Sequence, residues 1–64
     1  MKIDILLEKL AAPAQRALVN ADIRTLEELA QQTEREILGL HGMGKNAMAV
    51  IKATLEEHGL SLRS

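Results

Sequence analysis

The stretch Leu40-His41-Gly42-Met43-Gly44-Lys45, opening an amphipathic run that reaches His58, carries the strongest signal in this sequence. Two glycines spaced Gly-x-Gly between apolar residues supply a tight turn. They also let backbone come close to a ligand, because glycine has no Cβ to clash. A helix start follows at once. The N–H groups of Gly44, Lys45 and Asn46 are expected to point out of that first turn, where the helix dipole contributes roughly half a positive charge. Such a terminus holds a phosphate oxygen. The stretch is therefore read as the hairpin of a helix-hairpin-helix unit, with His41, Gly42, Gly44, Lys45 and Asn46 as candidate backbone contacts to DNA. The plainer alternative is an interhelical turn with no ligand.

Beyond the hairpin, Ala47, Met48, Ile51 and Leu55 recur at i, i+3 or i+4 and predict a helix over about 45–58, closed by Gly59. Met43, Met48 and Ala47 are core filling on this pattern. Leu60 and Leu62 can fold back as an apolar tail, with Ser64 free. On the other side, Thr33-Glu34-Arg35-Glu36 and Thr25-Leu26-Glu27-Glu28 each fit a capping box, so two helices are expected to start eight residues apart. One carries Ile37 and Leu38 inward and stops at Gly39; the other carries Leu26, Leu29 and Ala30 inward. Pro13 suits the first turn of a helix over about 13–19, with Ala14, Ala17 and Leu18 on one face. Asn20 is the expected left-handed end of that helix, and Ile23 in the following connection is expected to plug the core. Ile3, Leu6, Leu7 and Leu10 have helical spacing but no cap, so residues 1–11 are expected to be a loosely held lead-in to a folded core over 12–62.

Sixty-four residues make one domain, because a protein of this size buries too little surface to divide a core. The expected fold is all-α, a compact bundle of four or five short helices. No run approaches ~20 apolar residues, and the apolar run near the N-terminus is far short of a ~7 to 15 residue signal core, so a soluble, cytoplasmic protein with no membrane contact is expected. There is no cysteine, hence no disulfide or thiolate zinc site, and helix packing must suffice. Aromatic residues are absent, which excludes the stacking platforms used to hold single strands and leaves duplex partners open. The net charge of −1 argues against a strongly basic nucleic-acid binder. Charge is unevenly placed, however. Residues 21–40 hold five acids and two bases, whereas 41–55 hold Lys45 and Lys52 and no acid, so the hairpin end reads as locally basic.

Lys45 and Lys52, seven residues apart, fall on one side of the last helix and are candidate phosphate contacts; a solvated face is the alternative. Arg16 is a further candidate, Val50 a small partner-binding surface beside the apolar stripe. His41 and His58 share no ligand spacing, and no serine, histidine and acid constellation can be assembled. Neither an enzyme nor a cofactor or metal is expected, and no small-molecule substrate.

The run from Ile23-Arg24-Thr25-Leu26-Glu27-Glu28-Leu29 through Thr33-Glu34-Arg35-Glu36-Ile37-Leu38, the Met43-Gly44-Lys45 turn, Ile51-Lys52 and Gly59-Leu60-Ser61-Leu62 resembles the C-terminal domain of the bacterial RNA polymerase alpha subunit, ungapped over most of the sequence. The resemblance implies a fold of four or five short helices with a helix-hairpin-helix, minor-groove binding to upstream promoter DNA, and contacts to transcription activators. Here the domain is expected to stand alone, with no amino-terminal assembly domain before it, and so not to be a complete alpha subunit. The family's minor-groove arginine falls on Pro13, and Arg16 takes the place of an asparagine that meets DNA one turn on. The hairpin asparagine falls on Gly42, and a lysine and serine fall on Asn46 and Ala47. Gly44 carries over unchanged, and Lys45 matches a neighbouring basic position.

Two functions follow. One is a transcription-related module that grips duplex DNA through its backbone, weakly and in a salt-sensitive way, using Arg16, His41, Gly42, Gly44, Lys45, Asn46 and Lys52. The other is a protein-interaction module that keeps the same fold without DNA binding and docks on RNA polymerase or a transcription factor. Pro13 and the acidic run Asp22 to Glu36 favour the second; the hairpin and the acid-free 41–55 segment favour the first.

Overall fold

The computed structural model describes residues 1–63, so the expectation of a free Ser64 lies outside the described residues. The described residues form five helices: α1 (Asp4–Leu7), α2 (Ala12–Asn20), α3 (Leu26–Ala30), α4 (Glu34–Leu38) and α5 (Lys45–Glu57). The two threonines act as the sequence suggests. The Thr33 hydroxyl accepts from the Glu36 N–H at 3.1 Å while the Glu36 carboxylate accepts from the Thr33 N–H at 2.9 Å, a complete capping box at α4. At α3 the box is skewed by one residue: Thr25 accepts from the Glu28 N–H, but the Glu28 carboxylate reaches back to the N–H of Arg24.

Helix ends use the left-handed conformation at Asp22 and Gly59, with φ +61° and +73°. At each, the next N–H reaches back to close the helix: Ile23 to the Leu18 carbonyl at 3.1 Å, and Leu60 to the Leu55 carbonyl at 2.8 Å. Asn20 remains helical, so the stop lies two residues later than expected. Aspartate shares the tolerance for this conformation, and ending α2 there seats Ile23 against Leu18 in the core. Gly39 ends α4 with ordinary right-handed backbone, φ −74°.

Leu6, Leu18, Leu26, Leu29, Ile37, Ile51 and Leu55 are fully buried and form the centre of the core, with Met48 and Ile23 beside them. The expectation of a loose lead-in over residues 1–11 is corrected. Ile3, Leu6 and Leu10 are all buried, and the Gln15 side-chain amide of α2 donates to the Leu7 and Leu10 carbonyls at 2.5 and 3.1 Å. Gln15 thus adds, from another helix, a second donor at the Leu7 carbonyl, which already accepts from the Leu10 N–H at 3.0 Å. The Ile3 N–H donates to Arg24 and the Leu26 N–H to Met1, sewing the lead-in to the α2–α3 connection. Two further expectations change. Leu38 is 39% exposed, since the five-residue α4 turns only Ile37 inward, and Val50 packs against the core instead of facing a partner. None of the described helices is long and apolar enough to cross a membrane.

Candidate nucleic-acid interface

The connection from α4 to α5 runs from Gly39 to Gly44, and its shape is set at Gly42. This residue has φ +93°, and a Cβ built on it would lie 2.6 Å from the Pro13 carbonyl oxygen and 3.3 Å from the Pro13 Cβ. Only glycine fits there, because both the backbone angle and the contact forbid a side chain. The hairpin is thus pressed onto the first turn of α2. Arg16, exposed and one turn further along α2, stands about 5 Å of helix rise beyond that contact. The fold therefore brings the start of α2, at Pro13, onto the hairpin across 29 residues of sequence.

Gly44 does something different. It is the N-cap of α5 in extended backbone, φ −133°, with nothing within 4 Å of an added Cβ. Space does not require glycine there. What glycine does is leave the terminus uncapped by any side group, in contrast to Thr25 and Thr33 at α3 and α4. The first turn's N–H groups on Lys45, Asn46 and Ala47 consequently have no side-chain acceptor from the cap residue, at the positive end of a 13-residue helix. His41, Gly42, Gly44, Lys45 and Asn46 are all exposed. The result is an exposed helix N-terminus without a side-chain cap, with Lys45 in its first turn.

Lys52 stands differently from the other candidates. Its Nζ lies 2.5 Å from Glu34 Oε1, with both side chains 48% exposed, so the hairpin flank is less basic than the sequence pattern suggests. Lys45, Lys52 and Glu34 line one shallow groove with Leu38, Met48 and Ala49. A larger hollow of about 450 Å³ shares Glu34 and Lys52 with that groove and is lined also by Leu55, Leu62, Arg35, Glu56 and Arg63. The parts played by Glu34 and Pro13 are invisible in the sequence, since neither the 18-residue gap from Glu34 to Lys52 nor the 29-residue gap from Pro13 to Gly42 leaves a periodic signal. His58 caps the far end of α5, and no group of three potential metal ligands occurs among the described residues.

Residues 1–57 match the family described as the C-terminal domain of the bacterial RNA polymerase alpha subunit. The chain belongs to that family. The all-α architecture of this alpha C-terminal domain agrees with the membership, and the match ends at Glu57, the last residue of α5. One similar protein is the DNA-directed RNA polymerase subunit alpha of Bacillus velezensis, 37% identical over 54 residues, which are 84% of this protein and 17% of that subunit. The domain thus spans about a sixth of the length of the relative it matches.

Proposed function

We propose that this alpha C-terminal domain is a weak duplex-DNA-binding module acting in transcription, gripping the DNA backbone at the minor groove through the Gly42-Met43-Gly44 hairpin. The observation that carries the reading is the uncapped N-terminus of α5, presented by a hairpin whose glycine is locked on α2. A phosphate oxygen would accept from the N–H groups of Lys45 and Asn46, with the Lys45 ammonium and the Arg16 guanidinium adding charge from either side. His41 lies at the hairpin's outer edge. Backbone contacts of this kind carry no base information, so sequence preference is slight.

Two side chains free to neutralise phosphates give a log-log dependence of affinity on salt with a slope of about −2, and binding at physiological salt no tighter than about 10⁻⁴ M. A module that weak acts when tethered, partnered or repeated, because effective concentration supplies what one patch cannot. No reaction is assigned to it. Fluorescence anisotropy of a labelled duplex at low salt tests the reading, with Lys45→Glu as comparison. Wild type is expected to bind and Lys45→Glu to lose binding; equal affinities would remove the hairpin from the function.

A second reading has its own observation. The 450 Å³ hollow, lined by apolar side chains and charges of both signs, suits a protein surface, such as polymerase or a transcription factor, better than a phosphate backbone. Capture of such a partner by a protein that shifts no hairpin amide with duplex favours this reading.

A further inference from the structure

We infer that Glu34 sets the strength of the duplex interface by holding Lys52 out of it. The inference rests on the duplex-binding reading above. Lys45 and Lys52 lie about 10 Å apart along one flank of α5, and both line the same groove, so a duplex seated on the α5 N-terminus runs past both. Duplex DNA presents a charge about every 1.7 Å of its axis over both strands, so a duplex lying along that flank offers a second phosphate to a lysine there. Lys45 forms no ion pair among the described residues. Lys52 is already engaged, its Nζ 2.5 Å from a Glu34 oxygen.

The Glu34 carboxylate stands where a phosphate oxygen would stand relative to Lys52. It adds negative charge to the groove that the DNA must enter, so it acts twice, by occupying the cation and by repelling the polyanion. The pair is half in water, and an exposed pair of this kind is weak enough to be exchanged for a phosphate. Glu34 also sits in the first turn of α4, where the helix dipole favours an acid whether or not lysine faces it. The arrangement is a built-in competitor that keeps the free domain's grip low and leaves Lys52 available once something else draws Glu34 away.

Anisotropy titrations of the protein with a short labelled duplex, at several salt concentrations, compare wild type, Glu34→Gln, Lys52→Gln and the double variant. Glu8→Gln controls for net charge. Glu34→Gln is expected to bind about two- to fivefold tighter at low salt, with a log-log slope steeper by about 0.9 from the third phosphate contact. The gain is expected to vanish in the double variant and to be absent from Glu8→Gln. Unchanged affinity and slope in Glu34→Gln, or a gain that survives without Lys52 or appears equally in Glu8→Gln, would overturn the inference while wild-type hairpin binding keeps the duplex reading standing. Absence of binding by both wild type and Glu34→Gln would remove both together.

Discussion

At Gly42 and Gly44, two residues apart, the same absence of a side chain serves opposite ends. Gly42 is required by the fold: φ +93° and a Cβ position 2.6 Å from the Pro13 carbonyl leave no room for any other residue. Gly42→Ala is expected to cost about 1 to 3 kcal/mol, read as a lower melting temperature and a lower denaturant midpoint. Gly44 is not required by the space around it; on the proposed reading it keeps the start of α5 open to phosphate. Gly44→Asp would place a carboxylate over the first-turn N–H groups, raising stability by about 0.5 to 2 kcal/mol while filling and charging that terminus against phosphate. Higher melting temperature with lost duplex binding is the expected outcome. A destabilised Gly44→Asp would show that the α5 terminus is not free. The Gly-x-Gly spacing announced a turn, but which glycine was structural could not be read from it, because Pro13 meets Gly42 only in the folded protein.

The elements show how local signals and tertiary contacts divide the work. Capping chemistry is written within four residues, so α3 and α4 were legible from Thr25 and Thr33 alone. The Glu36 carboxyl is held below the usual value of 4.5, chiefly by the Thr33 backbone and side-chain hydrogen bonds and then by Arg63, whose guanidinium lies 3.3 Å away. A lowered native pKa means a contribution fully present above the unfolded value and lost as pH falls through the native one. Thr33→Ala is therefore expected to cost about 1 kcal/mol near neutral pH, with the gap from wild type in thermal melts narrowing below about pH 4.5. A gap independent of pH would show that the box does not depend on the Glu36 charge. Helix α1 was not legible as a held element. Its end is tied to α2 by Gln15, and its pairing to residues 24–26 is made across the fold.

Over the whole molecule, the core draws at least one fully buried leucine or isoleucine from every helix, including α1 through Leu6. The seven residues Leu18, Ile23, Leu29, Ile37, Met48, Ile51 and Leu55, read from helical faces, are all buried, so periodicity located most of this core. It overlooked Thr54, which is also buried, because a hydroxyl breaks the apolar pattern without leaving the inward face of α5. Leu6→Ala and Ile51→Ala are each expected to cost about 2 to 5 kcal/mol, a large share of what so small a domain has. Equal losses in chemical denaturation would show that the lead-in is as much core as α5; a neutral Leu6→Ala would return it to the status of an appendage. The site was half legible for the same physical reason as the fold. Lys45 and the α5 terminus are local, whereas the approach of α2 to the hairpin and the pairing of Lys52 by Glu34 belong to the assembled bundle.

At every scale the proposed reading turns on one point, whether the hairpin and the uncapped start of α5 hold duplex DNA. A nitrogen-15 NMR titration of the protein with a short duplex at low salt is its sharpest test, because each amide reports for itself. The expected result is a set of shifts concentrated at Gly42 to Asn46, extending to Arg16 and fading as salt rises with a slope of about −2. No amide shift at low salt, or shifts that avoid the hairpin, would contradict it.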